Sequence, residues 1–172
     1  EWVNENYKIQ YLDKATKFIV WPCPININYW KPSSEEVISK NKIIIFSKIG
    51  KEKKHKSNYE IFCKLVKKEF SSKELVIEEI KYGDYKINKW KQALNSSICV
   101  IYFTDYTESQ GIALLESWSM NVPTFVRKID ELNVDNWNWE GANSAPYLND
   151  ERGKFFCSTG KLLENINDLI KK

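Results

Sequence analysis

The sequence predicts an α/β fold, a parallel sheet of about five strands flanked by helices. Short and almost wholly apolar runs carry this first, chiefly Lys42–Ser47 (KIIIFS) and Ile98–Phe103 (ICVIYF). Their length and β-branched content are those of strands buried on both faces. Amphipathic stretches of helical period lie between such runs, and strand and helix alternate along most of the chain, which favours right-handed parallel crossovers. At 172 residues with 14% aromatics, the chain has one domain's length and enough apolar mass to bury a core.

Taken in order, residues 1–16 read as a short helix, followed by a strand and a proline-broken turn with Pro22, Pro24 and Pro32. After the Lys42–Ser47 strand, a helix is expected over Asn58–Phe70, with Ile61, Phe62, Leu65, Val66 and Phe70 turned inward. Glu74–Ile80 is the second strand, closed by the turn Tyr82-Gly83-Asp84-Tyr85. Ile87–Asn95 is a helix, Ile98–Phe103 the third strand, Ser109–Met120 a helix and Pro123–Val126 the fourth strand. A long Asn-, Asp- and Trp-rich stretch then leads to a fifth strand at Gly153–Cys157 and a last helix over Leu162–Ile170. Five strands in this succession fit the spatial order 2-1-3-4-5, with its switch point between the first and third.

The net charge of +3 leaves no general nucleic-acid footprint, although Lys48 to Lys56 packs five lysines into one loop. No apolar run approaches the ~20 residues that cross a bilayer, and no signal peptide opens the chain, so no transmembrane segment and a cytoplasmic protein are expected. The first residue is Glu and not Met, which suggests an excised piece of a longer chain. Cysteines 23, 63, 99 and 157 lack metal or scaffold spacing, and Cys63 and Cys99 fall in core elements as buried free thiols. Neither a D-x-D pair nor a carboxylate–histidine cluster offers a metal site.

The stretch with most chemistry is Ile98–Lys128. There a strand's carboxyl end hands over to a helix's amino end through Thr107-Glu108-Ser109-Gln110-Gly111, the place where open α/β sheets bind ligands. Glu108 and Glu116 are separated by seven residues, about 12 Å along a helix axis at 1.5 Å per residue. The free N–H groups at Gln110, Gly111 and Ile112 would face an anion, and Gly111 removes a side chain where that anion approaches. For a bare pair of glutamates, the plainer reading is a helix-start carboxylate and a solvated polar face. His55, the one histidine, lies among lysines and reads as a bystander in a flexible loop. Gly50 to Ser57 has the spacing of a phosphate-binding P-loop, but His55 stands where the second glycine belongs.

The pattern E-S-Q-G-I-A-L-L-E followed by N-V-P resembles the E-x7-E signature of GT-B glycosyltransferases, especially the family-4 retaining enzymes. The resemblance covers roughly residues 18–172 and is strongest over Tyr82–Lys128 and Ser144–Phe156. It implies that residues 36–172 form a Rossmann-like donor-binding lobe, one lobe of a GT-B fold. Residues 1–35 would be the end of an N-terminal acceptor lobe and the hinge. That lobe would be supplied by the same or a partner chain, and the substrate would be a nucleotide diphosphate sugar held without metal or other cofactor.

By the same resemblance, Glu108 would act at the donor sugar as the catalytic-site carboxylate, and Glu116 would take the ribose hydroxyls. Ser109, Gln110, Gly111 and Ile112 with Lys48 and Lys54 would neutralise the diphosphate, Lys48 standing where many relatives have an arginine. Tyr82, Gly83 and Tyr85 would line the nucleobase pocket. Trp137, Trp139 and Tyr147 serve either an acceptor sugar or packing, with packing favoured. The full-length enzyme would be compatible with peripheral attachment at the inner membrane, and one lobe alone would turn over little or nothing. The alternative is a non-catalytic module that binds a nucleotide sugar or a partner.

Overall fold

The computed structural model describes residues 23–33, 40–108, 110–129, 133–134, 137–138 and 143–171. Its centre is a five-stranded, all-parallel sheet with helices on both faces, a Rossmann-like α/β arrangement. The strands are β1 (Lys42–Lys48), β2 (Val76–Lys81), β3 (Ser97–Thr104), β4 (Thr124–Arg127) and β7 (Gly153–Phe156), in the order β2-β1-β3-β4-β7. This is the expected 2-1-3-4-5 order, with the switch point between β1 and β3. Two short strands, β5 (Asn133–Val134) and β6 (Trp137–Asn138), pair antiparallel outside it.

Strand alternation builds two cores. Ile44, Phe46, Val100, Tyr102 and Val126 point to one face and meet α2 (Ile87–Asn95) and α3 (Ile112–Ser119) through Trp90, Leu94 and Leu114. Ile43, Ile45, Cys99, Ile101 and Phe125 point to the other and meet α1 (Lys53–Phe70) and α4 (Thr159–Ile170) through Phe62, Val66, Phe70, Leu162 and Ile166. Period-two side chains on a sheet covered on both faces read as a continuous apolar run, which is why KIIIFS forms a central strand. Each large side chain so buried contributes about 1.5–3 kcal/mol relative to an exposed one. Cys63 and Cys99 are buried and free. Gly153 lets β7 lie against β4, because a Cβ there would stand 1.8 Å from the Thr124 carbonyl oxygen.

Three helices depart from expectation; α4 starts at Thr159 and not at Leu162, with Ser158 Oγ accepting from the Lys161 N–H as its cap. Helix α1 starts at Lys53 and not at Asn58, so the second part of the basic loop, from Lys53 to Lys56, is its first turn. Lysine has good helix propensity, and no glycine or proline interrupts residues 51–58. Ile61 and Leu65 are exposed, and the buried stripe is instead Phe62, Cys63, Val66 and Phe70. Both stripes have helical spacing, and only the strands opposite decide between them. Helix α3 starts at Ile112 and not at Ser109, because Gly111 takes a left-handed backbone (φ 67°, ψ 60°) that a right-handed helix cannot continue.

Residues 23–33 pack on the α2–α3 layer. Trp30 is buried there, its carbonyl accepts from Ser119 Oγ, and Tyr29 Oη donates to Asn88 Oδ1. The remainder of the expected hinge, residues 1–22 and 34–35, lies outside the described residues, as do Ser109 and Trp139. Among the described residues, no helix is long and apolar enough to cross a membrane.

Candidate functional site

At the carboxyl ends of β1 and β3 a cavity of about 500 Å³ opens between the β3–α3 connection and the turn after β2. The fold places it there for a simple reason. The crossovers from β1 and β3 leave to opposite faces of the sheet, so nothing fills the gap between them. Phe46 and Tyr102 form part of its wall and Leu114 another part, while Lys48, Glu108 and Glu116 bring charge.

Lys48 ends β1, and its ammonium meets Glu108 Oε1 at 2.6 Å. Both side chains are about one-quarter exposed. The ammonium also lies 4.9 Å from the ring centre of Tyr82 and 5.8 Å from that of Tyr106, so two aromatic faces and a carboxylate hold one cation in place. Glu108 is pinned in turn by its backbone, whose N–H donates to the Asn143 carbonyl at 2.9 Å.

Glu116 sits in the second turn of α3 and is not the solvated residue of the plainer reading. Its Oε2 accepts from Trp90 Nε1 at 3.0 Å, and Trp90 is fully buried. Burial pushes the Glu116 carboxyl up to about 7, and the indole N–H only partly offsets this. One neutral donor is little compensation for a desolvated carboxylate with room for about four. Among the described residues Glu116 therefore holds unused acceptor capacity beside the cavity it lines.

The left-handed Gly111 moves the anion-facing amides. The first-turn N–H groups belong to Ile112 and Ala113, ahead of Leu114 and Leu115, which both donate to the Gly111 carbonyl. The expected trio of Gln110, Gly111 and Ile112 is thus corrected at Gln110 and Gly111, which precede the helix. Gln110 lines the cavity, and its Oε1 accepts from the Cys23 N–H. Gly111 forms the cavity floor, where a Cβ would stand 2.8 Å from Leu114 Cδ1.

The expected aromatic residues fall in two classes. Tyr85 is half-buried, with its ring 5.7 Å from both Phe46 and Trp90, and Tyr82 is exposed at the rim. Gly83 forms the turn with φ 85° but does not belong to the cavity wall. Lys54 must be withdrawn from the wall as well, because helix α1 begins before it and carries it outward as an exposed residue. Tyr147 belongs to a turn, and its carbonyl accepts from Arg152 Nη1.

A second polar cluster, unforeseen in the sequence, stands at the same end of the sheet. Asp105 follows β3 and its side chain is only 7% exposed. It accepts from the Gly50 N–H at 2.9 Å, from His55 Nδ1 at 2.9 Å and from Arg127 Nη1 at the end of β4. Burial alone would raise this carboxyl, but the Gly50 amide, Arg127 and His55 outweigh it and hold it below the ordinary carboxylate value. The P-loop reading fails here for a physical reason: the Gly50 N–H is turned to Asp105 and not outward to a phosphate. Asp105 has one legible signal, a carboxylate immediately after a buried strand, and Arg127 is one of only two arginines in the chain.

No known protein-family profile matches the chain, and no curated protein matches it. Among solved structures, a conserved protein from Enterococcus faecalis V583 is 13% identical over 74% of this chain and 98% of its own, with a TM-score of 0.46. The functional reading therefore rests on the chain's own residues. A larger groove of about 780 Å³ lies at the amino ends of β4 and β7, lined by residues such as Trp118, Arg152 and Asp168. It shares no lining residue with the cavity that holds Glu108 and Glu116.

Proposed function

We propose that residues 36–172 form the donor-binding lobe of a nucleotide-sugar-dependent glycosyltransferase, working with a second, acceptor-binding lobe in the cytoplasm. The observation that carries this reading is Glu116, a half-buried carboxyl with, among the described residues, a single neutral donor in a cavity that also contains Lys48 and Glu108. A ribose offers two adjacent hydroxyl donors, the number that such a carboxylate lacks. The diphosphate would lie against the Ile112 and Ala113 amides and the Lys48 ammonium. Lys48 would exchange Glu108 for phosphate, and Glu108 would accept from hydroxyls of the donor sugar. Tyr82 and Tyr85 bound the end of the cavity where a nucleobase would rest.

In the reaction, the bond from the anomeric carbon to the phosphate oxygen breaks and one to an acceptor hydroxyl oxygen forms. The hydroxyl proton passes to the leaving diphosphate. Charge grows on that diphosphate, and the same amides and ammonium would stabilise it. Retention at the anomeric carbon follows from the resemblance alone. The second reading, a binding module without turnover, uses the same cavity and differs only in lacking an acceptor lobe.

A thermal-shift panel of UDP, GDP, ADP and CMP, with and without EDTA, tests the site. A ligand at one hundred times its Kd stabilises the folded chain by about 2.7 kcal/mol. The proposal expects one diphosphate to raise the melting temperature with or without EDTA, and expects Glu116→Ala to remove that rise while remaining folded. No response to any nucleotide would contradict it.

A further inference from the structure

We propose that Asp105, His55 and Gly50 form a clamp that positions Lys48 for the anionic part of the ligand, with His55 as a positioning residue. This rests on the nucleotide-sugar reading of the cavity. Asp105 holds the tripeptide Lys48–Gly50 at both ends: its backbone N–H donates to the Lys48 carbonyl at 3.1 Å, and its carboxylate accepts from the Gly50 N–H at 2.9 Å. The turn that leaves β1 is therefore fixed to the end of β3, and the Lys48 side chain projects from a backbone with little freedom.

His55 and Arg127 keep the Asp105 carboxylate oriented. Arg127 Nη1 spans Asp105 Oδ1 and the Thr104 carbonyl, and its guanidinium rests 4.8 Å from the Phe103 ring centre. His55 takes Oδ2, the oxygen that also accepts from Gly50. The imidazole packs on the bare Cα of Gly50, where an added Cβ would lie 3.0 Å from His55 Cδ2. Thus the histidine in the place of a P-loop glycine has a different use, tying the first turn of α1 to the carboxylate that sets the β1 turn.

An ordinary structural hydrogen bond would affect all ligands of the cavity alike. A clamp acting through Lys48 would affect phosphate contacts most, because the nucleoside end of the proposed ligand would meet Tyr85 and Glu116. The test is a titration, followed by NMR shifts, of the tightest diphosphate from the panel and of its parent nucleoside against wild type, His55→Ala, His55→Asn and Gly50→Ala. His55→Ala and Gly50→Ala are expected to weaken the diphosphate about tenfold and the nucleoside less than twofold. His55→Asn, whose amide can donate from the position of Nδ1, is expected to recover affinity to within threefold of wild type.

Equal weakening of both ligands, or unchanged diphosphate affinity in His55→Ala, would overturn the clamp while leaving the cavity's assignment intact. A wild-type chain that binds neither ligand would overturn both. Melting curves of each variant separate loss of the fold from loss of the clamp.

Discussion

Two carboxylates withdrawn from solvent stand at the same end of one sheet and behave in opposite ways. Asp105 receives three donors from three different segments and is held below the ordinary carboxylate value. Among the described residues Glu116 receives one, from Trp90, and burial pushes it up to about 7. Burial acts on both, so the difference lies in how fully each has been paired. Asp105 is complete within the protein and belongs to its architecture. Glu116 is incomplete among the described residues, the state that the proposed ligand would complete.

Removing Asp105 gives the largest expected effect on stability. Asp105→Ala leaves His55 Nδ1 and the Gly50 N–H without this acceptor and takes from Arg127 its carboxylate partner, and a loss of about 3 kcal/mol is expected in urea denaturation. A loss below about 1 kcal/mol would put Asp105 in the same class as Glu116.

The corresponding change at Glu116 has the opposite sign. The folded-state value of about 7 lies above the unfolded value of 4.5, so ionisation is penalised in the fold. That penalty is absent below pH 4.5, grows as the pH rises to about 7 and is constant above it. Glu116→Gln removes it. A tenfold change in an ionisation equilibrium corresponds to about 1.4 kcal/mol, and after discounting for solvent at the open side a penalty of about 2 kcal/mol remains. The variant should melt roughly 4–8 °C above wild type at pH 8 and level with it near pH 4.5. It should also lose nucleotide affinity, so stability and binding move in opposite directions.

Gly111→Ala sharpens the comparison at the helix start. A left-handed alanine whose Cβ meets Leu114 Cδ1 at 2.8 Å should cost about 1–2 kcal/mol by chemical denaturation and narrow the cavity floor. The smallest effect is expected from Lys54→Ala. This side chain is exposed on α1, so stability should stay within about 0.5 kcal/mol and diphosphate affinity should be unchanged, whereas Lys48→Ala should weaken diphosphate binding.

The sheet is legible in the sequence because its signal is local and repeated. Each central strand is a continuous apolar run, and the strong amphipathic period of Ile87–Asn95 places that helix to the residue. The Glu108-to-Glu116 stretch is legible as a strand–loop–helix unit. What escapes the sequence is long-range or depends on backbone sign. Asp105 meets His55 and Gly50 across 50 and 55 positions, and no periodicity announces such a pairing. Trp90 reaches Glu116 from another helix, so a carboxylate that reads as solvated is half-buried. The missing side chain of Gly111 is plain from its identity, but its left-handed φ, which shifts the helix start to Ile112, depends on the loop around it. The exposed Ile61 and Leu65 show the limit of periodicity in a helix that has two apolar stripes and one core to face.

The most direct measurement is a pH titration of the Trp90 indole N–H resonance in a ¹H–¹⁵N spectrum, with and without the nucleoside diphosphate. That proton is donated to Glu116, so its shift reports the ionisation of the carboxyl. A midpoint near pH 7 is expected in the free protein. With ligand the midpoint is expected to fall, because ribose hydroxyls donating to the carboxylate would favour its charged form. A midpoint near the ordinary glutamate value, unmoved by any nucleotide, would contradict the proposed function.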